Sequence, residues 1–431
     1  MKRKILFILL AMTTSFAFAQ TGHLMQGIGA FNMSMGGAST GQPLDIEGAL
    51  QWNPASISVF NHKIISFDVG LMASSPTIYS TVPTQTGTYI SGSTEDDKGI
   101  SPLPALAMVF GKENSKHTFG VSVFGVSGFG VTFPESTTNP INFPQSMGGF
   151  GRLESNYMLL QVGFTYAYQI SDNFSVGIEP TIDYASLKVN PNPLASPSQT
   201  LGYPNSDNAS AFGFGGQIGV FYRSDFGFKM GVSYKTEQYF SDLTFSNTYL
   251  DGSPAPENKF KMNFPSIFSV GVGYSTDKFD FALDYRRIFY ENTDGFENTG
   301  WTETGAVAGF GWKNISVLSV GLQLKLINKL PFRFGYTYND NPIDSDVAMY
   351  SVEAPAVVKN AFQFGFGYIV NKHITINAAF HHGTSSGKTS GPLLNPSMVS
   401  STNPYGAIPG SDVSYDMTTN MVMFGFSYTF D

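Results

Sequence analysis

The feature that most constrains the fold is a residue pattern with a period of two that recurs along the chain. Near the C-terminus, five large side chains occupy alternate positions: Val422, Phe424, Phe426, Tyr428 and Phe430. Since successive side chains of a β-strand point to opposite faces, this segment predicts a strand with one large apolar face and one smaller or more polar face. The same pattern recurs at 158–168, 212–222, 266–274, 332–338 and 362–370.

Composition indicates where such strands would be used. Charged residues make up 13% of the chain, about half the ~25% of an average soluble protein, and aromatic residues reach 15%. Beyond the N-terminal segment, no apolar run is long enough to cross a bilayer as a helix. These observations favour a transmembrane β-barrel, in which lipid-facing and lumen-facing residues alternate. A large soluble β-sandwich is the alternative, although soluble surfaces usually carry more charge.

Short turns alternate with long polar connections between the predicted strands. The long connections are 77–101, 133–151, 190–209, 246–258, 292–310, 344–358 and 383–412. This alternation is typical of outer-membrane barrels, whose short turns lie in the periplasm and whose long loops lie outside. We therefore expect an all-β, antiparallel transmembrane barrel of about 14 strands, near residues 62–76, 102–112, 116–132, 152–171, 174–189, 210–224, 227–245, 259–275, 279–291, 312–327, 331–342, 360–370, 373–382 and 413–430. An even strand number lets the sheet close without an unpaired edge in lipid.

Two segments precede the barrel. Residues 1–19 combine a basic start, a short apolar core and the small-x-small sequence Ala17-Phe18-Ala19, which predicts a signal peptide and export. Residues 20–61 are rich in glycine and lack strand alternation. A lumen of 14 strands is too wide for barrel side chains to fill. We therefore predict that residues 20–61 form a plug, here called the hatch, inside a barrel of residues 62–431.

Several function classes are disfavoured. The chain contains six histidines but no His-x-x-x-His pair and no Gly-x-Ser-x-Gly elbow, so we expect no enzyme, no metal site and no cofactor. The net charge of −8 and the lack of a basic cluster argue against nucleic acid as a partner. There is no cysteine, which excludes disulfides and a cysteine-linked lipid anchor.

Charged residues on the predicted lumen faces have two possible roles. Both signs are present on these faces, among them Glu179, Asp183, Asp284, Arg286 and Arg333. They could form an internal network of ion pairs that braces the barrel and the hatch, because buried charges normally pair. Alternatively, Arg286 or Arg333 could bind the anionic headgroup of a ligand. A third group, Gly125, Gly128 and Gly130, ends the third predicted strand, where glycines indicate a bulge or bend.

Several short motifs resemble the FadL/TodX-type outer-membrane transporters of hydrophobic compounds. Their order along nearly the whole chain carries the resemblance more than any one of them: Gly27-Ile28-Gly29-Ala30-Phe31, Ser34-Met35-Gly36-Gly37-Ala38, Asp45, Asn53-Pro54-Ala55, Phe264-Pro265-Ser266, Asp284-Tyr285-Arg286-Arg287, Phe332-Arg333-Phe334-Gly335-Tyr336 and Asn339-Asp340-Asn341-Pro342-Ile343. In particular, Asn53-Pro54-Ala55 looks like the Asn-Pro-Ala of that family's N-terminal hatch.

The resemblance implies a function and assigns candidate residues. It implies passive uptake of hydrophobic compounds such as long-chain fatty acids or aromatic hydrocarbons across a Gram-negative outer membrane, with a gating hatch and lateral release through a kink in the third strand. The candidate residues are Asn53, Pro54, Ala55, Gly36 and Gly37 for the hatch, Gly125, Gly128 and Gly130 for the kink, and Leu24, Met25, Phe31, Met33, Arg286 and Arg333 for ligand contact.

The resemblance leaves two other functions open. A barrel of the same family could serve as a protein-binding shuttle or scaffold in a type IX-like secretion system. A general porin for small hydrophilic solutes is the other alternative, which the hatch disfavours. We expect a monomer, surrounded by outer-membrane lipid and lipopolysaccharide.

Overall fold

A computed structural model describes residues 22–431 and contains one closed antiparallel barrel. Its strands are β1 (Lys63–Pro83), β2 (Ile100–Phe110), β3 (His117–Phe129), β4 (Leu153–Gln169), β5 (Phe174–Asn190), β6 (Ala209–Arg223), β7 (Phe228–Lys235), β8 (Ser266–Ser275), β9 (Phe279–Phe289), β10 (Ile315–Leu324), β11 (Phe332–Asn339), β12 (Asn360–Ile369), β13 (Ile374–Thr384) and β14 (Asp412–Thr429). Each strand pairs with the next, and β14 pairs with β1 from Thr81↔Asp412 to Ile64↔Thr429. The predicted 14-stranded barrel is confirmed.

The period-two pattern sorts side chains between the outside and the lumen. On β14, Phe424 and Phe426 are exposed on the outer face, whereas Met421 and Met423 are buried on the inner face. The other barrel strands repeat this arrangement, so large apolar side chains cover the outside of the wall. In a lipid bilayer this outer face requires no polar cover, which is the condition for a transmembrane barrel.

Short and long connections alternate as expected. The limits of two predicted strands and of one predicted loop are corrected by the structure. The predicted strand 227–245 ends its barrel section at Lys235, and the predicted strand 259–275 joins the barrel at Ser266. The residues between them form a separate hairpin, Leu243–Thr248 with Pro254–Phe260. The predicted loop 77–101 also contains strand structure, because β1 continues to Pro83 and pairs with Tyr89–Glu95. Alternation identifies strands but does not tell whether they lie in the wall or above it.

Short elements complete the loops on the side of the long connections. The additional strands are Tyr89–Glu95, Thr132–Phe133, Asn205–Ser206, Tyr239–Phe240, Leu243–Thr248, Pro254–Phe260 and Thr389–Gly391. Single 3₁₀ turns lie at Pro140–Asn142, Gln145–Met147, Ser345–Ser351 and Pro396–Met398. These elements cover the extracellular mouth of the lumen.

The segment that precedes β1 folds inside the barrel. It contains helix α1 (Gly29–Ser34), helix α2 (Ile46–Trp52) and a 3₁₀ helix (Pro54–Val59). The Asp45 side chain caps α2 by accepting a hydrogen bond from the Gly48 amide, as expected for a helix N-cap. Nearly all of these residues are buried, and they contact inner faces around the barrel. The predicted signal peptide, 1–19, and the first two residues of the predicted hatch lie outside the described residues.

None of the helices in residues 22–431 has both the length and the apolar character that a membrane crossing needs.

Candidate functional site

The hatch is attached to the barrel at Asn53, between α2 and the 3₁₀ helix. The fully buried Asn53 side chain donates from Nδ2 to the carbonyl oxygens of Thr40 at 2.9 Å and of Val220 in β6 at 3.0 Å. Its Oδ1 accepts a hydrogen bond from the Ala55 amide at 3.1 Å. One amide side chain thus joins two parts of the hatch to the wall. A Cβ at Gly219 of β6 would lie 2.1 Å from Asn53 Oδ1, so glycine makes room for this contact.

Gly36 and Gly37 form a tight turn of the hatch against another part of the wall, at β10 and β11. Both have left-handed backbone conformations, with φ of +69° and +74°, which favour glycine. A Cβ at Gly36 would lie 2.8 Å from the carbonyl oxygen of Val320 in β10. A Cβ at Gly37 would overlap the carbonyl oxygen of Gln26 within the hatch. These two positions therefore require glycine both for conformation and for space.

A buried ion pair on β9 holds the middle of the hatch. Arg286 lies 2.6 Å from Asp284 and donates to the carbonyl oxygen of Gly37 at 2.7 Å. Asp284 accepts the amides of Ser39 and Thr40, each at 2.8 Å. The Arg286 guanidinium also stacks 3.6 Å from the ring centre of Trp52, a favourable cation–π contact. The two charges are thus paired with each other and with the hatch backbone.

Arg333 on β11 makes a second contact of the same kind. Its guanidinium lies 3.5 Å from the ring centre of Phe31 in α1. It also donates to Gln323 at 2.8 Å and to Asn377 at 3.0 Å. Both arginines therefore contact groups of the hatch and of the wall, which agrees with an internal network that braces the hatch against the barrel. Binding of an anionic headgroup by Arg286 or Arg333 stays a prediction that would require displacement of these contacts.

An acidic contact joins α2 to β1. Asp68 of β1 accepts a hydrogen bond from the Ala30 amide, and Glu47 lies beside it with 3% of its surface exposed. Burial and then the charges of Asp68 and Asp45 raise the pKa of Glu47 well above its ordinary value of 4.5. Arg333 acts electrostatically on Asp45 and opposes the rise of the Asp45 pKa. Because the raised pKa belongs to the docked hatch, this contact favours the protonated carboxyl, and the proton would be held less tightly if the hatch moved away.

Strand β3 leaves β2 and bends toward the hatch. The β2–β3 pairing ends at Ala105↔Phe124, and the β3–β4 register shifts between Gly125 and Ser127. Beyond the shift, the Met25 amide donates to the carbonyl oxygen of Val126 at 3.0 Å, and the Gly128 amide donates to that of His23 at 3.1 Å. The wall is therefore unpaired between the outer ends of β2 and β3.

The three glycines of this bend differ in their surroundings. A Cβ at Gly125 would meet no atom within 4 Å, so open space lies in front of it. A Cβ at Gly128 would lie 3.1 Å from the Tyr157 carbonyl oxygen, and one at Gly130 would lie 2.6 Å from the Ser155 carbonyl oxygen. Gly130 has no room for a side chain, whereas Gly125 lies next to the gap between β2 and β3. Whether the gap serves as an exit stays a prediction.

A series of cavities with shared lining residues leads from the extracellular mouth to this bend. An open bowl of about 760 Å³ lies between the long loops and shares Phe150, Tyr203, Trp301 and Met349 with a deeper cavity. This cavity shares Pro193, Val307, Tyr350 and Glu353 with another, which reaches Phe129 at the end of β3. Phe129 also borders a cavity at Gly128 and Gly130, beside the β2–β3 gap. We call this series the apolar track.

The track is closed at rest and ends at the hatch. Its inner cavities hold about 40, 20 and 40 Å³, room for about one or two waters each. Met72 of β1 lines the cavity at Gly128 and Gly130 and also a separate cavity of about 20 Å³ against the hatch. Leu24, Met25 and Met33 line this hatch cavity together with Met421. Three of the four predicted apolar ligand contacts thus lie together, while the fourth, Phe31, lies under Arg333.

No sequence pattern marks the loop residues of the track as a site. Tyr203, Trp301, Val307 and Tyr350 lie in long connections without periodicity, where no pattern assigns a side chain to a surface or a cavity. A concentration of aromatic and aliphatic residues in otherwise polar loops is the signal that could have found them. Another such residue is His23 of the hatch. Its ring stacks on that of Phe296 with the ring centres 4.9 Å apart, and its Nδ1 shares a hydrogen bond with the Tyr290 hydroxyl at 2.9 Å.

The geometry defines a class of protein, a plugged outer-membrane barrel with a closed apolar track. The chain belongs to the outer-membrane transport protein family described as OMPP1/FadL/TodX, whose model matches residues 10–431. It resides in the outer membrane of a Gram-negative cell. Among its relatives, the long-chain fatty acid transport proteins of Salmonella typhi and Escherichia coli K12 are each 22% identical and cover 91% of this chain. The matches span 95% and 96% of those proteins.

Solved structures share the fold. The toluene transporter TodX of Pseudomonas putida superposes with a TM-score of 0.68 at 18% identity, covering 94% of this chain and 99% of that one. A Pseudomonas aeruginosa FadL homologue gives a TM-score of 0.70 at 14% identity, covering 95% and 100%. These relatives are described as transporters or as members of a transporter family. In the described part of this chain, no group of three or more acidic, histidine or cysteine residues could hold a metal.

We predict that Asn53→Ala loosens the hatch. The substitution leaves the buried carbonyl oxygens of Thr40 and Val220 without their donor, which costs about 1–3 kcal/mol. Amide exchange of residues 46–59 in detergent should accelerate about 5- to 150-fold. The exposed Asn298→Ala is the matched control and should exchange like the wild type. Unchanged protection in the Asn53 variant would show that this side chain does not hold the hatch.

We predict that hatch docking weakens as pH rises. A carboxyl whose pKa is raised in the docked state binds its proton more tightly there, so docking is strongest below the ordinary carboxyl pKa near 4.5 and weakens above it. The loss is about 1.4 kcal/mol per pH unit until the raised pKa is reached. Amide protection of residues 29–52 between pH 5 and 9 measures this dependence. Glu47→Gln should flatten it and the exposed Glu303→Gln should not; a slope that persists in Glu47→Gln excludes this carboxyl.

Proposed function

We propose that this protein carries hydrophobic compounds passively across the outer membrane, from the extracellular bowl along the apolar track to the lipid beside β3. The observation that carries the proposal is the shared lining of successive cavities, from Tyr203 and Trp301 at the bowl to Phe129 at the bend. A hydrophilic solute would gain little from such a lining. No step requires catalysis or a cofactor, and the proposed partners are apolar small molecules.

The energetics suit such a path. Each CH₂ group that leaves water contributes roughly 0.8 kcal/mol, so a chain of several carbons can be captured without an energy source. The inner cavities are too small for a carbon chain. Passage would therefore require side chains and the hatch to move aside. Because His23 and Met25 hydrogen-bond to the bend in β3, movement of the hatch would act directly on the gap.

We further propose lateral release through the β2–β3 gap. The hatch fills the lumen below the track, and the polar contacts of Asn53, Arg286 and Arg333 close the axial route to the periplasm. Gly128 and Gly130 of the bend line the last cavity of the track, so lipid beyond the β2–β3 gap is the apolar destination that this route would reach. The apolar outer wall would contact lipid and lipopolysaccharide, and one chain closes the barrel, which supports a monomer.

The two other functions gain less support. A general porin needs an open aqueous lumen, and the hatch occupies this one. A secretion scaffold would need an exposed docking surface for a protein, and the extracellular elements instead pack over the mouth. The relatives with solved or curated descriptions are described as transporters, which agrees with transport by this chain.

A size series at Gly125 tests lateral release. Gly125→Ala, →Val and →Trp add increasing volume to the open space before the bend, and no neighbouring atom opposes the first step. Uptake of radiolabelled dodecanol or dodecanoic acid by cells expressing each variant should stay near wild type for alanine and fall at least about tenfold for tryptophan, while binding to purified protein persists. Equal uptake across the series would exclude this exit, and a lack of binding by the wild type would contradict hydrophobic transport itself.

Deleting residues 21–55 tests the hatch as a plug. The barrel should insert without the hatch and form an ion-conducting pore in planar bilayers, because its lumen is wide and lined with polar side chains. The full chain should show little conductance. A deletion variant that folds, as judged by its heat-dependent mobility in SDS gels, yet conducts no better than the full chain would exclude a plugging role.

A further inference from the structure

A buried carboxyl lies in the middle of the apolar track. Glu353 follows the 3₁₀ helix Ser345–Ser351 in the connection between β11 and β12, and 7% of its surface is exposed. It lines both inner cavities between the bowl and the bend, together with Pro193, Val307 and Tyr350. Any molecule that follows the track must pass this carboxyl.

The carboxyl has no counter-charge at this position. Glu353 Oε1 is buried without a hydrogen-bond partner among the described residues, and the Ser155 hydroxyl reaches the Glu353 backbone carbonyl instead. The cavities of the track are lined by no lysine or arginine in the described chain. The Lys98 ammonium donates to the Ser155 carbonyl oxygen and to Asn156, each at 3.0 Å, rather than to Glu353.

A buried carboxyl without a hydrogen-bond partner destabilises the fold unless a ligand binds to it. Leaving a buried polar atom unpaired costs about 1–3 kcal/mol, and burial raises the pKa of Glu353 well above its ordinary value of 4.5. A neutral carboxyl offers one O–H donor and an acceptor oxygen. The tyrosines that share its inner cavity, Tyr203 and Tyr350, add no charge at neutral pH because burial raises the pKa of each further.

We propose that Glu353 is a binding site for the uncharged, hydrogen-bonding end of an otherwise apolar cargo, such as a hydroxyl group. The proposal rests on hydrophobic transport as the function and specifies the chemistry of the cargo. A hydroxyl can accept from the carboxyl and donate to it, while the carbon chain lies against Val307, Tyr350 and Phe129. The ligand would thereby satisfy the orphan oxygen.

The same surroundings reject an anionic end. A carboxylate ligand in these cavities would lose its hydration without gaining a cation, and it would lie beside an acidic group. A fatty acid would therefore enter as the neutral acid rather than as its anion. Arg286 and Arg333, the arginines of the hatch contacts, do not line the cavities of the track.

Competition binding to the full-length protein in detergent tests this assignment. The probes are 1-dodecanol, dodecanoate at pH 8, where it is ionised, and n-dodecane, each displacing a fluorescent apolar reporter. The wild type should bind 1-dodecanol at least about tenfold more tightly than dodecanoate. Glu353→Leu should weaken 1-dodecanol about tenfold and leave n-dodecane unchanged or tighter. Glu353→Gln, which keeps a neutral donor and acceptor, should stay within about threefold of wild type for 1-dodecanol.

The outcomes separate this proposal from the one on which it rests. Exposed Glu303→Leu is the matched control for loss of an acid and should bind every probe as the wild type does. Equal affinity for dodecanoate and 1-dodecanol, or unchanged 1-dodecanol binding by folded Glu353→Leu, would overturn the role of Glu353 while leaving hydrophobic binding intact. Failure of the wild type to bind any of the three probes would overturn hydrophobic transport as well.

Discussion

The rest of this structure depends on one constraint, that no backbone polar group of the membrane wall can face lipid unpaired. The wall meets it by closing β14 onto β1 across nearly the whole length of both strands. Closure of 14 strands then creates a lumen that side chains alone cannot fill. The hatch occupies this lumen. The β2–β3 gap is therefore notable, because it is the place where the ladder is interrupted, and there β3 turns inward to pair with the hatch.

The hatch is held by polar contacts in addition to apolar packing, since Leu50, Trp52 and Ile57 share a buried apolar cluster with Ala105 and Val109 of the wall. Asn53, Arg286 and Arg333 each join hatch atoms to wall atoms, and aromatic rings cover both guanidiniums. Such contacts fix one arrangement, since each buried group needs its partner. If the hatch moves as proposed, these polar groups can exchange their partners for water.

The extracellular half of the molecule differs in having a series of cavities between its loops. Loop residues from distant parts of the chain, such as Phe150, Val307 and Tyr350, meet over the hatch and line small apolar cavities. Glu353 is the exception among them, a carboxyl without a charged partner. The ion pair of Arg286 and Asp284 lies beneath the track, whereas Glu353 within the inner cavities is buried without a charged partner.

The sequence determined the barrel, its strand number and its plug, because alternation with a period of two, turn residues and charge depletion are local signals. It also placed Asn53 and the β3 glycines, through a resemblance in short motifs. Only the tertiary structure decided which strands rise above the wall, as the hairpin at 243–260 shows, and which partners Arg286 and Arg333 take. The same holds for the apolar track and for Glu353. Loop side chains carry no periodic signal, and whether a carboxyl is solvated or buried depends on residues far away in the chain.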